Sequence, residues 1–495
     1  MWTEAWRRQS WIISRRADLL LFIGTPLLCL ALIVPLSRVV PSDRLALVLL
    51  ALFATGHHLP TFMRVFGDPK LFARYPGRFL LAPPLTFAVA LWFAAHDLHG
   101  LILVTVLWDL WHSFMQHYGF MRIYAAKGGD LSPTLSWLDL WVSLCWFIGI
   151  ALWSPVYSLS LLRPIVQTTG CAIPHEVLQA LRWLAAAATA LITAVYLAAT
   201  IRAMRAGQPV SPAKLLLLAT TIAVIACAWW MLNDLVIGYA IWAVFHDVQY
   251  FAIVWVSHRG LLQKGDAPRP FLAFLFRQHL PMIALYVAIL FAYGSLSLVQ
   301  DGLEPGMVRT LLGAYIATST LMHYYFDGFI WKVRESTTRE ALGVSPVTTA
   351  GKTLPDRPHG ERLAIHFAAL VVPVVIMLLL EPTSRSSVHT YRALTSIYPG
   401  WGEVKFRLAD ELATAGKLAE AADAYHAGLR QQPDAPLAHE NLATIYRQLH
   451  RLDYARYHLR CAARLTPRDP DLKRQLRELD RVTESSACCE EAVHR

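Results

Sequence analysis

The chain has 495 residues, 55% of them hydrophobic and only 16% charged. Soluble domains carry roughly 25% charged residues, so this balance excludes a protein that faces water throughout. The formal charge of +10 fits the basic cytoplasmic loops of a membrane protein and not a nucleic-acid partner, and seven scattered cysteines with no C-x-x-C pair give neither a disulfide framework nor a zinc knuckle.

Residues 1–17 read as a cytoplasmic N-terminal segment with Arg7, Arg8, Arg15 and Arg16. The apolar run that follows lacks a small-residue cleavage site and is expected to stay as the first span. Spans are expected at 18–37, 44–64, 79–95, 100–121, 135–155, 178–200, 213–231, 235–256, 280–299, 308–331 and 364–381. Lys and Arg collect after the even-numbered spans, as in Lys70, Arg74 and Arg78 or Arg259, Lys264, Arg269 and Arg277. The intervening loops 95–99 and 231–234 carry none. By the positive-inside rule the N-terminus is cytoplasmic and, after an odd number of spans, the C-terminus is not. The membrane is expected to be a bacterial-type inner or plasma membrane. Residues 332–363 form a long basic cytoplasmic loop within the membrane domain 18–381. Arg64, Arg122 and Lys332 read as interfacial anchors, and Trp229 and Trp230 as belt residues.

The last hundred residues change character. A 34-residue offset superposes Leu408 on Leu442, Ala409 on Ala443, Ala421 on Ala455, Tyr425 on Leu459 and Pro433 on Pro467. The small residues let paired helices approach, and the prolines stop each second helix. In period and pattern 385–482 resembles the tetratricopeptide repeat (TPR). The resemblance implies a short α-solenoid that binds a protein or peptide partner. Residues 483–495 read as a disordered tail. The fold class expected is therefore all-α: a polytopic transmembrane bundle of about eleven spans, then a TPR-like solenoid.

The even spans carry the unusual residues. Span two holds His57 and His58, and span four Asp109, His112, Gln116 and His117. Span eight holds His246, Asp247 and Gln249, with His258 at its end; span ten holds His323 and Asp327. Counted back from the basic residue at each inner end, these histidines fall in one layer roughly 7–20 Å below the cytoplasmic boundary, at ~1.5 Å per residue. Ionisable groups at such depth are costly and mark function by default. Asp109 with His112, and His323 with Asp327, share helix faces at i,i+3 and i,i+4; His117 lies about 140° round from His112. Acid–histidine pairs at these spacings are how helical bundles present metal ligands. The expected ligands are His57, His58, Asp109, His112, His117, His246, His323 and Asp327, with His258 a bystander. Imidazole with carboxylate suits iron, as a di-iron or mononuclear site, with another transition metal or haem as alternatives.

The chemistry and depth resemble the membrane-integral histidine-rich oxygenases, the desaturases and hydroxylases. That resemblance implies iron-dependent oxidation of a lipid or other hydrophobic substrate. The spacings differ from the HxxxH and HxxHH boxes of that group, so no ligand is carried over from it. Two metal-free readings stand beside it. Trp111-His112 in a chain of this span number resembles the membrane-bound O-acyltransferases, and buried histidines also serve proton-coupled transporters.

Overall fold

The structure is a computed structural model that describes residues 6, 9–130, 132–232, 234–263, 269–331, 342–343, 368, 371–376, 378–379, 381, 386–467 and 469–493. Every regular element among these residues is a helix. The chain divides into two compact units, Met1–Leu161 with Leu181–Pro382, and Leu162–Ala180 with Thr383–Arg495.

The first unit contains α1 (Arg15–Ile23 and Thr25–Ser37, meeting at 52°), α2 (Ser42–Gly67), α3 (Pro76–Ala95) and α4 (Gly100–Lys127). There follow α5 (Pro133–Trp153), α6 (Pro155–Thr169), α7 (His175–Arg205) and α8 (Pro212–Met231), with the part of α6 and α7 between Leu162 and Ala180 belonging to the second unit. The series ends with α9 (Leu235–Gln263), α10 (Leu280–Gly302) and α11 (Met307–Ile330). The sequence gives the reason for several boundaries. Pro133 and Pro212 sit in first turns, where the missing N–H costs nothing, behind the caps Ser132 and Ser211.

Seven of these helices, α2, α3, α5, α7, α8, α9 and α10, are long and apolar enough to cross a membrane, and the bent α1 makes an eighth if it is one span. The helices α4 and α11 have 28 and 24 residues, ample length at ~1.5 Å per residue. They fall short in apolarity because they carry Asp109, His112, Gln116, His117, His323 and Asp327. The loop 332–363 lies largely outside the described residues, and the expected span 364–381 is described only in part, at 368, 371–376, 378–379 and 381. The helix α6 occupies a stretch between the expected spans 135–155 and 178–200.

The helix α9 is central. Of its most apolar stretch 78% is buried inside the protein, against 17% for α7 and for α10. It packs on α1, α2 and α8, while α11 packs on α2, α3, α4 and the end of α10. Close approach of α2 and α10 depends on glycine: a Cβ on Gly294 would lie 2.4 Å from the carbonyl oxygen of Ala51. The same stretch of α2, Leu50–Thr55, runs as a π-turn directly before His57.

A second polar cluster differs from the expectation for its residues. Lys214 is buried, with Nζ 2.6 Å from Asp130 Oδ2 and 3.0 Å from Asp139 Oδ1. Arg122 also binds Asp139, at 2.8 Å, and Tyr196 donates to the same carboxylate. Two cations and two carboxylates thus form a paired group joining α4, α5 and α8, so Arg122 is more than an interfacial anchor. Arg64 is buried as well, lying over the Trp331 ring at 4.0 Å. Trp230 is exposed, as a belt residue would be, but Trp229 is buried and stacks on Tyr157.

The second unit holds α12 (Ser387–Ile397), α13 (Gly402–Thr414), α14 (Leu418–Leu429), α15 (Pro436–Gln448), α16 (Leu452–Leu465) and α17 (Pro470–Val493). The pairs α13–α14 and α15–α16 pack most closely. Ala409, Ala421, Ala443 and Ala455 are all buried in one core with Leu412, Tyr425, Leu442 and Leu459. Gly428 lets Phe406 in, since a Cβ there would meet the ring at 2.3 Å. The last helix runs to Val493, into the stretch 483–495 that reads as a tail in the sequence. The segment 162–180 joins this unit through His175, whose Nδ1 lies 2.9 Å from the Ile397 carbonyl oxygen, and through Arg163 over Tyr391.

Candidate metal centre

Five imidazoles from four helices meet inside the first unit. The rings of His57 and His323 are 4.3 Å apart, His112 and His323 4.5 Å, and His57 and His58 4.7 Å. His246 stands 5.2 Å from His112 and 5.6 Å from His57. His57 and His112 are 6.4 Å apart. A ring bound through nitrogen has its centre about 3.2 Å from the ion, so two rings on opposite sides are about 6.4 Å apart. The spacings around His57 and around His323 are therefore those of rings that can share an ion, although His58 is in neither of the ligand sets below. All five side chains are buried.

Local structure explains how each ring reaches this volume. Consecutive residues on a regular helix point about 100° apart, yet His57 and His58 both reach His323. The π-turn Leu50–Thr55 and Gly56 precede the pair, and His57 caps the α-helical stretch that begins at His58. His246 and Asp247 are also consecutive. They both face inward because α9 is surrounded, with residues Ala240 to Asp247 buried without a break. His112 and His323 lie on α4 and α11, and their Nε2 atoms are 3.0 Å apart. Two nitrogens bound at right angles to one ion at ~2.1 Å would be separated by about that distance.

Three further ring nitrogens face oxygen. His57 Nδ1 bonds the Ala54 carbonyl, His58 Nδ1 is 3.2 Å from Ser319 Oγ, and His323 Nδ1 is 2.6 Å from Thr61 Oγ1. The carbonyl holds the proton on His57 Nδ1 and leaves its Nε2 as a lone pair, the usual support of a ligating histidine, whereas the two hydroxyls can serve either tautomer. Nε2 of His57 and of His246 are buried and have no hydrogen-bond partner among the described residues. Both carboxylate oxygens of Asp247 are likewise buried and without a hydrogen bond among these residues. Oδ1 of Asp247 is 3.1 Å from His57 Nδ1, but that N–H is directed at Ala54. An unpaired buried carboxylate costs several kcal/mol, which a cation would remove. Two sets have ligand atoms all within 4.8 Å of one another: His57, His112 and His323, and His57, His246 and Asp247. Orphaned lone pairs in a nitrogen-rich, buried volume fit a transition ion.

The expected ligands do not all gather here. The His117 ring lies on Phe147 at 5.6 Å, and His117 is in neither ligand set. Asp109 accepts from Tyr324 at 2.9 Å and Tyr239 at 3.0 Å, one layer behind His112. Asp327 accepts from Tyr250 at 2.8 Å, with Thr61 Oγ1 3.0 Å away, and is 4.0 Å from His323 Nε2. His258 stacks on Phe276 and bonds the Val254 carbonyl. Gln116 and Gln249 bind backbone carbonyls, of His246 and Phe22. The carboxylate that does join a ligand set is Asp247, which face-sharing arguments passed over because it is adjacent to His246 and not three or four residues away. The signal in the sequence is the His-Asp pair in a helix apolar on every side.

Neither a family model nor a curated protein matches this chain. The reading of the site rests on its own chemistry.

Proposed function

We propose that this chain is an integral membrane metal-dependent oxidoreductase acting on a lipid or other hydrophobic substrate. The observation that carries the proposal is the convergence of His57, His112, His246 and His323 with Asp247 in two overlapping ligand sets, in which Nε2 of His57 and His246 and both Asp247 oxygens have no partner among the described residues. Imidazole with one carboxylate suits iron, manganese or zinc over copper(I), and of these iron and manganese are redox-active. Haem uses two axial histidines; a group of five favours a bare ion. The site lies between helices of membrane-spanning length, where an apolar substrate arrives from the bilayer. In this reading α4 and α11 cross the membrane as well, giving about eleven spans with the expected 364–381. Their polar residues are then sheltered by α9, α2 and α3.

The second unit is read as a TPR-like solenoid carrying a protein or peptide partner. The grouping of 162–180 with it supports a non-cytoplasmic position, since that segment follows an odd-numbered expected span. A reporter fused after residue 385 is expected to be active only outside the cytoplasm.

The deciding experiment is metal analysis of the full chain purified in detergent, with an optical spectrum before and after reduction. Bound iron or another redox metal at one or two per chain is expected. His112→Ala and His323→Ala should each lose most of it, whereas His117→Ala should keep it. Metal-free protein, or metal that survives both of the first two changes, overturns the proposal.

A further inference from the structure

A hydrogen-bond chain leads from one histidine of the cluster to a phenol. His323 Nδ1 is 2.6 Å from Thr61 Oγ1, and Thr61 Oγ1 is 2.5 Å from Tyr250 Oη. The phenol donates to Asp327 Oδ1 at 2.8 Å and accepts from Trp331 Nε1 at 3.2 Å. The Tyr250 ring is edge-on to His323 at 5.1 Å and to His57 at 6.0 Å. One aromatic side chain thus touches two histidines of a ligand set while its O–H faces a carboxylate.

That combination is what one-electron oxidation of a phenol requires. A phenol that loses an electron becomes a strong acid, so the electron leaves readily only if a base already holds the proton. Asp327 is in place to be that base. The next aromatic outward is Trp331, with ring centres 5.9 Å apart, and the Arg64 guanidinium lies over its face. A cation there opposes positive charge on the indole, so an oxidising equivalent would stop on Tyr250. Tyr324 is the natural comparison: its ring is 4.9 Å from His112 and 5.6 Å from His323, and its O–H donates to Asp109, so what sets Tyr250 apart is the hydrogen-bond link through Thr61. Among the described residues no hydrogen bond joins the Tyr324 phenol to a histidine.

We infer that Tyr250 is a redox-active tyrosine of this centre, with Asp327 as its proton acceptor. The inference rests on the reading of the cluster as a redox-metal site. Tyr250 passes one electron to an oxidised transition ion held by the histidines and its phenolic proton to Asp327. The ion's charge falls by one, the phenol becomes a neutral tyrosyl radical, and the carboxylate becomes a carboxylic acid.

The test uses the full chain purified with its metal, whose content is measured in every sample. Each sample is treated with hydrogen peroxide, freeze-quenched and examined by EPR, with ring-deuterated tyrosine to identify a tyrosyl signal. Wild type should give that signal. Tyr250→Phe and Asp327→Asn should reduce it at least tenfold with metal content unchanged, and Tyr324→Phe should retain it. Trp331→Phe should keep the radical but shift its g-anisotropy, because a hydrogen bond to the phenoxyl oxygen is lost; this variant decides if Tyr250→Phe fails to hold metal. A signal that survives Tyr250→Phe, an unshifted spectrum in Trp331→Phe, or no radical in metal-loaded wild type overturns the inference. Wild type without metal overturns the underlying metal reading instead.

Discussion

Oδ1 of Asp247 lies 3.1 Å from Nδ1 of His57, yet neither oxygen of that buried carboxylate accepts a hydrogen bond among the described residues. A charge placed so deep needs a counter-charge, and a metal ion between the two residues supplies one. Asp247→Asn keeps the shape and removes the charge. Metal affinity in chelator competition is expected to fall by at least the roughly 10–100-fold typical of altered supporting groups. Unchanged affinity would mean that Asp247 is a protonated bystander.

Gly294 bears on the site from outside it. A methyl group there would collide with the Ala51 and Leu52 carbonyl oxygens, at 2.4 and 2.7 Å, in the π-turn that precedes His57 and His58. Backbone cannot step aside as a flexible side chain can. Gly294→Ala should therefore lower metal occupancy although the residue touches no ligand, and Gly302→Ala, where a Cβ meets nothing within 4 Å, should not. Equal occupancy in the two variants would separate the α2–α10 contact from the site.

Lys214 offers a stability test. Its ammonium is 1% exposed and bonds both Asp130 and Asp139. Removing one member of a buried charged group leaves the others uncompensated, at a cost of about 3–5 kcal/mol. Lys214→Met is expected to destabilise the first unit by that order, measured by denaturant unfolding in detergent. A loss below about 1 kcal/mol would place the group in contact with water.

In the second unit His458 is 3% exposed, and its Nδ1 is not free: His439 Nδ1 lies 2.9 Å away. Burial first, then the neighbouring His439 and His426, lower its pKa from 6.5 to about 4. The unfolded chain binds this proton below about pH 6.5 and the folded chain only below about 4, so stability falls as pH drops through that window and levels off beneath it. The depression corresponds to a loss on the order of 3 kcal/mol. Pulse proteolysis of residues 386–481 in urea at pH 7 and pH 4.5 should show it, and His458→Leu should remove most of the difference. Equal stability at both pH values in the wild type would show that the ring titrates normally.

The α13–α14 crossing gives a packing test. Ala421 is fully buried there, and Ala421→Leu should cost ~1–3 kcal/mol of the same unit's stability through overpacking. A neutral result would mean that the two helices do not cross at this alanine.

Composition and hydropathy alone determine that the chain is helical, with several helices long and apolar enough to cross a membrane, because some twenty apolar residues in a row have few other stable environments. The 34-residue offset likewise locates the alanines that the second unit buries. Which polar residues of the first unit meet is another matter, since a helical face can be read from spacing but its neighbour cannot. His117 shares a helix with His112 and an expected depth with the others, yet it turns onto Phe147. Asp109 and Asp327 have the spacing of ligands and instead bind tyrosines. Asp247 has the wrong spacing and stands in the cluster, because α9 is enclosed on all sides and any residue on it faces protein. The π-turn before His57 and the close approach at Gly294 belong to the packing of α2 against α10, which the spacing of residues along one helix does not reveal.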